Sequence, residues 1–256
     1  MISLENKAVV VTGASRGIGL AIAGAFAAEG ARVALIARSK PALDAALKRL
    51  PGGKDRHLAL KADIRKQSDI KRIISQTRKR FRRIDIWVNN AGVGTHRPIT
   101  ETTDREYNII MDTNVRGVFY SMRLLIPFFR KQKVDTDGTR GPRGQIINIS
   151  SSVTRVGVAN LAVYAASKGA LNLLSESVAN EVRNEGIKVS VFSPASTDTN
   201  LMRNLSKKKP NRPLSPSKAS VKLTPLEVAE GVLFLAKQNM NAWTSFADIR
   251  PLSVRR

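Results

Sequence analysis

The chain contains no cysteine, which excludes a disulfide framework and a thiolate metal site together. Its only histidines, His57 and His96, are isolated and offer no ligand cluster, so no metal is expected. Such a composition fits a reducing compartment. Aromatic residues make up 5% of the sequence, too few for an interleaved base-stacking platform, which counts against sequence-specific nucleic-acid reading. Nothing approaches about 18 uninterrupted apolar residues. The opening M-I-S-L-E-N-K runs straight into A-V-V-V-T without a small-residue cleavage site, and the expectation is a soluble, cytoplasmic protein with no membrane insertion. Acids are scarce as well. With 20 Asp and Glu against 43 Lys and Arg the formal charge is +23, which favours anionic partners: nucleic acid, a phosphorylated cofactor or an acidic carrier protein.

Against these absences stand 256 residues of which 42% are hydrophobic, enough for one large α/β domain over residues 1–256 with a substantial core. Apolar runs at 8–12, 33–37, 57–62, 84–89, 145–150 and 188–193 read as strands. They alternate with helical periodicities over 17–29, 41–50, 68–80, 104–131 and 164–185. This alternation predicts a doubly wound parallel sheet with helices on both faces, right-handed crossovers, and ligands outside the carboxyl ends of the strands. No internal repeat or second domain is visible. Residues 133–144 read as a surface excursion before a central strand.

Two stretches hold much of the excess positive charge. Residues 65–83 carry nine basic residues and one acid, Asp69. There Ile70, Ile73, Ile74, Thr77 and Phe81 recur at helical spacing, so the charges read as the solvent face of an amphipathic helix. Residues 200–222 carry seven basic residues and no acid, and prolines at 210, 213 and 216 forbid a regular helix. That stretch reads as a mobile basic loop, part of a substrate-loop region at about 195–222.

The glycine-rich turn T-G-A-S-R-G-I-G at 12–19 follows the first strand and opens the first helix. A chain reversing there must leave room for a pyrophosphate, so Gly13, Gly17 and Gly19 remove side chains where backbone and ligand approach, and the helix amino terminus faces the anion. About 20 residues further on, at the end of the second strand, an acid would hydrogen-bond a ribose 2′-hydroxyl. The sequence there is I-A-R-S. Ala37 cannot accept that bond, whereas Arg38, with Arg16, can grip a 2′-phosphate, which points to NADP(H) over NAD(H).

Tyr164 and Lys168 stand four residues apart in Y-A-A-S-K, downstream of Ser151, in a pattern suited to hydride transfer. Hydride arriving at a carbonyl carbon leaves negative charge on oxygen that must receive a proton. Tyr164 is the expected acid. Bringing a phenol of pKa about 10 near neutrality takes roughly three units, or about 4 kcal/mol. Lys168, one turn later on the same helix face, is expected to stabilise the phenolate and reach cofactor ribose hydroxyls. Ser151, at a strand end, is expected to hydrogen-bond the substrate oxygen. His96, in V-G-T-H-R-P, lacks an adjacent acid and reads as a loop residue.

The ordered set T-G-A-S-R-G-I-G, Asp63, N-N-A-G at 89–92, Asn114, I-N-I-S-S at 147–151 and Y-A-A-S-K resembles the short-chain dehydrogenase/reductase family over nearly the whole chain. The resemblance implies a three-layer Rossmann fold and a reductase similar to NADP-dependent 3-oxoacyl-[acyl-carrier-protein] reductases. It counts Ser15 and Ile18 with the glycine turn's cofactor contacts, puts Asp63 and Ile64 at the adenine, and lines the ribose region with Asn90, Ala91 and Gly92. Pro194, Thr197 and Thr199 meet the nicotinamide, and Asn114 holds a water linking Lys168 to solvent; on residue type alone, Asn114 equally suits an amide satisfying buried backbone groups. Two departures stand out: Pro194-Ala195 where the family usually has Pro-Gly, and a tail A-D-I-R-P-L without the frequent glycine pair. The resemblance also implies a homodimer or homotetramer through the helices at 104–131 and 164–185, although Leu171, Leu174 and Val178 equally suit an ordinary core helix. The substrate expected is a small carbonyl or alcohol, with a carrier-bound 3-oxoacyl thioester as one candidate. A non-catalytic NADP-binding scaffold, or a basic nucleic-acid-binding protein on the same fold, is the alternative.

Overall fold

The computed structural model describes residues 1–133, 142–199, 201 and 221–252. Period-two alternation of side chains builds its centre. In the first strand, β1 (Ala8–Thr12), Val9 and Val11 face one apolar cluster while Ala8 and Val10 face another. The next strand, β2 (Arg32–Ala37), repeats the division with Val33 and Leu35 against Ala34 and Ile36. A strand buried on both faces requires helices above and below it.

Those helices are α1 (Gly17–Ala28) and α2 (Lys40–Leu47), with α7 (Pro225–Ala236), on one face, and α3 (Gln67–Phe81), α5 (Gly117–Arg130) and α6 (Ala162–Val182) on the other. The remaining strands are β3 (Leu58–Lys61), β4 (Ile86–Asn89), β5 (Gly144–Ile149), β6 (Ile187–Pro194) and β7 (Phe246–Ile249). The sheet order is β3-β2-β1-β4-β5-β6-β7 with every pair parallel. Strand order reverses between β1 and β4, which opens a crevice at their carboxyl ends.

Several boundaries depart from the sequence reading. The helix expected over 104–131 is three pieces: α4 (Asp104–Met111), a π-helical turn over Asp112–Arg116, and α5. Close packing accompanies the turn, since a Cβ on Gly117 would lie 2.9 Å from Ile64 Cδ1 and 3.1 Å from the Ile64 carbonyl. The strand expected to begin at residue 57 begins at Leu58. His57 instead turns its ring inward, accepting from the Val33 N–H at 3.1 Å through Nδ1 and approaching the Pro51 carbonyl at 2.7 Å through Nε2. The elements α7 and β7 lie beyond those predicted. α7 starts at a capping box in which Thr224 Oγ1 accepts from the Glu227 N–H at 3.3 Å and the Glu227 carboxylate accepts from the Thr224 N–H at 2.6 Å.

The surface excursion at 133–144 falls largely outside the described residues, as does the basic stretch at 200–222. The basic face over 65–83 is amphipathic as expected: Ile70, Ile73, Thr77 and Phe81 are buried on α3, while Lys71, Arg78, Lys79 and Arg80 are exposed. Among the described residues no helix is long and apolar enough to cross a membrane.

Candidate active site

The glycine turn links the carboxyl end of β1 to α1, and close approach explains its composition. A Cβ on Gly13 would lie 2.9 Å from Ala91 Cα, and one on Gly19 would overlap the Gly13 carbonyl and Asn90 Nδ2. A Cβ on Gly17 would meet only ordinary contacts, but its φ of +55°, like the +69° of Gly13, is a backbone state unfavourable to residues with a Cβ. Asn90 Nδ2 donates to the Thr12 carbonyl at 2.8 Å, while Thr12 Oγ1 accepts from the Asn90 and Ala91 N–H groups, each at 3.0 Å. The side chain expected to line the ribose therefore also anchors the turn. Thr12 itself was not among the expected site residues, although its place at the head of T-G-A-S-R-G marks it.

Arg16 precedes α1 and does not cap it with its side chain, and no acid occupies the first helical turn. The first N–H groups of α1 therefore meet no carboxylate of their own helix, which suits an incoming phosphate. Ile18 is partly buried against the core, Ser15 is half-buried on the turn, and Arg16 and Arg38 are exposed at neighbouring strand ends. Across the turn, Thr199 Cγ2 would lie 3.6 Å from a Cβ on Gly17. The segment after β6 thus reaches the glycine turn. Within it, Thr197 Oγ1 donates to the Ala195 carbonyl at 2.9 Å, and the Ala195 N–H donates to Ile249 at 2.9 Å. Ala195 therefore extends the pairing between β6 and β7, and its methyl group packs against the core.

At the outer end of the crevice Asp63 and Ile64 follow β3. Asp63 is gripped by Arg65, whose Nε lies 3.0 and 3.1 Å from the two carboxylate oxygens and whose Nη2 lies 2.5 Å from Oδ2. Arg65 holds the carboxyl below the ordinary range, with help from Arg38. Arg65 carries no motif signature, and the sequence reading passed over it.

Ser151, Tyr164 and Lys168 come together where β5 meets α6. Ser151 follows β5 and caps the short turn over Ser152–Thr154. Tyr164 and Lys168 lie in the first two turns of α6, both buried. Tyr164 shares a hydrogen bond with the Ser151 side chain. Lys168 Nζ donates to the Ile149 carbonyl at 2.7 Å and lies 6.0 Å from the centre of the Tyr164 ring. Gly92 faces them, since a Cβ there would lie 3.6 Å from Lys168 Nζ and 3.4 Å from Asn114 Oδ1.

Burial and neighbouring groups set the ionisation and the partners of this cluster. Burial pushes the Tyr164 phenol above its usual value and the Ser151 hydrogen bond only partly opposes it, so the chain by itself does not bring the phenol toward neutrality. Burial likewise pushes Lys168 down to about 8. The Asn114 side chain, moreover, is committed to protein groups. Its Oδ1 accepts from the Val93 N–H at 2.9 Å, and its Nδ2 donates to the Val93 carbonyl and to Ser167 Oγ, each at 2.9 Å. Ser167 in turn donates to the Tyr164 carbonyl at 2.7 Å. The Asn114 amide thus satisfies the buried backbone groups of Val93. Ser167, one residue before Lys168 inside Y-A-A-S-K, is the unanticipated link between the π turn and α6.

His96 is an exposed loop residue. Among the described residues no group of three or more His, Asp or Glu side chains could hold a metal. Leu171 is buried in this chain's own core, and Leu174 and Val178 pack partly buried against it. Those positions pack α6 onto this chain's own core, and Leu173 is the large apolar side chain of α6 left exposed, at 68%.

The sequence model for the short chain dehydrogenase family matches residues 7–210. The chain belongs to that family. This short chain dehydrogenase is 38% identical over 195 residues to an uncharacterized oxidoreductase of Methylorubrum extorquens, covering 76% of this chain and 74% of the relative. It is 31% identical over 243 residues to the L-fucose dehydrogenase of Bos taurus, covering 91% and 84%. Among solved structures it resembles a metagenomic short-chain oxidoreductase in complex with NADP, at TM-score 0.78 and 30% identity, covering 98% and 100% of the two chains. It also resembles the 3-ketoacyl-(acyl-carrier-protein) reductase from Brucella melitensis complexed with NADH, at TM-score 0.83 and 30% identity, covering 96% and 98%. The short chain dehydrogenase described here is accordingly a nicotinamide-dependent oxidoreductase acting on CH–OH or C=O groups, on a doubly wound parallel sheet.

Proposed function

We propose that the protein is an NADPH-dependent carbonyl reductase that interconverts a ketone and a secondary alcohol. The observation that carries this reading is the convergence of Ser151, Tyr164 and Lys168 where β5 meets α6, facing Gly92 across the crevice. The residues fit the cofactor: the glycine turn removes side chains where a pyrophosphate would lie, and Arg16 and Arg38 stand exposed beside the strand end where an acid would favour NAD(H). Asp63, Ile64 and Asn90 to Gly92 would hold the adenosine half, and Pro194, Thr197 and Thr199 the nicotinamide half.

Reduced nicotinamide, when bound, supplies a hydride. Ser151 donates a hydrogen bond to the substrate carbonyl oxygen, polarising it and fixing its distance from Tyr164. As the carbonyl carbon gains hydride, the Tyr164 hydroxyl gives its proton to the oxygen, leaving phenolate. A phenol raised by burial is a reluctant anion, so the phenolate needs cationic support at that moment. Lys168 provides it when its ammonium turns from the Ile149 carbonyl toward the ribose hydroxyls and the phenolate. Asn114 acts through position, tying the Val93 backbone to α6 through Ser167.

A 3-oxoacyl thioester on an acidic carrier is the proposed substrate class, because the basic stretch within 195–222 would attract it. We place the working enzyme in the cytoplasm as a homodimer or homotetramer. NADPH oxidation against matched 3-oxoacyl thioesters and neutral ketones tests the reading. Turnover of a ketone supports the reductase; no thioester preference and no salt dependence removes the carrier. Loss of all turnover beside salt-sensitive nucleic-acid binding would favour the basic-scaffold alternative suggested by the +23 charge.

A further inference from the structure

The ends of β2 and β3 bring opposite charges to the adenosine end of the crevice. These strands pair in register up to Ala37 and Lys61, and the Ala62 N–H extends the ladder to the Ala37 carbonyl at 2.9 Å. Past that bond Arg38 continues one strand end, and Asp63 follows Ala62 on the other. A free carboxylate at this place would oppose a 2′-phosphate twice over, by repelling the dianion and by competing for the Arg38 guanidinium.

The chain opposes both effects, although Arg38 still acts on Asp63 from a distance. Arg65 folds back over the two intervening peptide bonds and clamps the Asp63 carboxylate, with Nε at 3.0 and 3.1 Å and Nη2 at 2.5 Å, while its own N–H donates to Oδ1 at 3.1 Å. The clamp sits on a fixed base. The Asp63 N–H donates to Asp69 Oδ2 at 2.8 Å, and Asp69 Oδ1 is held by Arg72 at 2.9 Å. Asp112, the other carboxylate acting on Arg65, is paired with Arg116 at 2.7 Å. Arg38, by contrast, is exposed and joins no ion pair among the described residues.

We propose that Arg65 is a cofactor-selectivity residue: by neutralising Asp63 it leaves Arg38 to a 2′-phosphate, so discrimination between NADP(H) and NAD(H) depends on a side chain that need not touch the phosphate. This inference rests on the NADP(H) reading given above.

Calorimetric titration of the protein with adenosine 2′,5′-bisphosphate and with adenosine 5′-monophosphate reads the 2′-phosphate directly, without turnover. Wild type is expected to favour the bisphosphate. Arg65→Gln should weaken the bisphosphate about tenfold while changing the monophosphate by less than about threefold, since one opposed charge near a partly exposed site is worth about that much. The double variant Asp63→Asn with Arg65→Gln should regain most of the lost preference, because it removes the carboxylate that Arg65 neutralised. Arg65→Lys, which keeps the charge without the fork, should lose about threefold and supports the same reading should Arg65→Gln not fold. A wild type without bisphosphate preference sinks the NADP(H) reading itself. A wild type with that preference, beside an Arg65→Gln that keeps it, an Arg65→Gln that weakens both ligands equally, or a double variant that regains nothing, overturns the role of Arg65 alone.

Discussion

The Lys168 ammonium donates to the Ile149 carbonyl at 2.7 Å and stands 6.0 Å from the centre of the Tyr164 ring, although the two residues share one face of α6. Helical spacing brings them close, but the strand end of β5 takes the hydrogen bond. Tyr164 meanwhile sits against Ser151 with its phenol raised by burial. Ser151, Tyr164 and Lys168 are thus assembled, with the Lys168 ammonium held slightly apart from the phenol.

Tyr164→Phe removes the titrating oxygen and keeps the ring. Turnover should fall by about 10²–10⁴, the usual worth of a positioned proton donor, with NADPH binding largely retained. Single-turnover hydride transfer beside a fluorescence titration separates the two. Unchanged turnover would remove Tyr164 from the chemistry.

Lys168 has its pKa lowered to about 8 by burial. The unfolded chain therefore holds more protons than the folded one between about pH 8 and the ordinary lysine value, and stability rises with pH across that window. Below it, the buried ammonium costs roughly 3 kcal/mol before its hydrogen bond offsets part. Lys168→Met should raise the melting temperature at pH 7 and lose that advantage toward pH 10.5, while cofactor affinity and turnover both fall. Melting curves across this range with the variant less stable at pH 7 would show that the Ile149 bond outweighs the burial.

Asn114→Ala leaves the buried N–H and C=O of Val93, and Ser167 Oγ, without the partner they have now. The expected loss is about 2–4 kcal/mol in urea unfolding, with turnover reduced through the displaced Gly92 and Tyr164 segments. A variant of unaltered stability would contradict the bracing role.

Gly19→Ala drives a methyl group into the Gly13 carbonyl and Asn90 Nδ2. Because the obstacle is backbone and a hydrogen-bonded amide, the turn must move. NADPH affinity should drop at least about tenfold, with a melting temperature lower by several degrees. Gly24→Ala, on the same helix with nothing near its Cβ position, is the control and should be neutral or slightly stabilising.

His57 accepts from the Val33 N–H through Nδ1, and burial, the largest cause, lowers its pKa, with the Pro51 carbonyl opposing and Arg56 adding to the shift. The folded state thus binds fewer protons than the unfolded chain. The contribution is complete above the ordinary histidine value and is lost as pH falls through the lower folded one. His57→Asn keeps an acceptor on a shorter side chain. It should cost about 1 kcal/mol at pH 7 and flatten the loss of stability as pH falls below the ordinary histidine value, as followed by thermal melts.

Where chemistry is local in sequence, it was legible. The glycine turn, the N-N-A-G end of β4 and Y-A-A-S-K each combine a short motif with its own strand end or helix, so residue type and spacing suffice to mark them. The π turn was not legible, because apolar periodicity runs on through residues 104–131, and the close approach of Gly117 to Ile64 beside the turn is a contact between distant parts of the chain. β7 was missed for another reason: four partly exposed residues at a sheet edge make no apolar run. α7 did carry a readable signal in T-P-L-E, whose Thr224 and Glu227 form the capping box.

Residue order alone marked six of the seven strands and singled out Ser151, Tyr164 and Lys168 as candidates, since burial periodicity and motif order depend only on which residue follows which. Tertiary structure alone decided which partner each polar group took. Lys168 went to Ile149, Asn114 to Val93 and Ser167, and Asp63 to Arg65. The choice among several donors and acceptors within reach turns on ångström distances and desolvation, and neither is written in the spacing of residues along a chain.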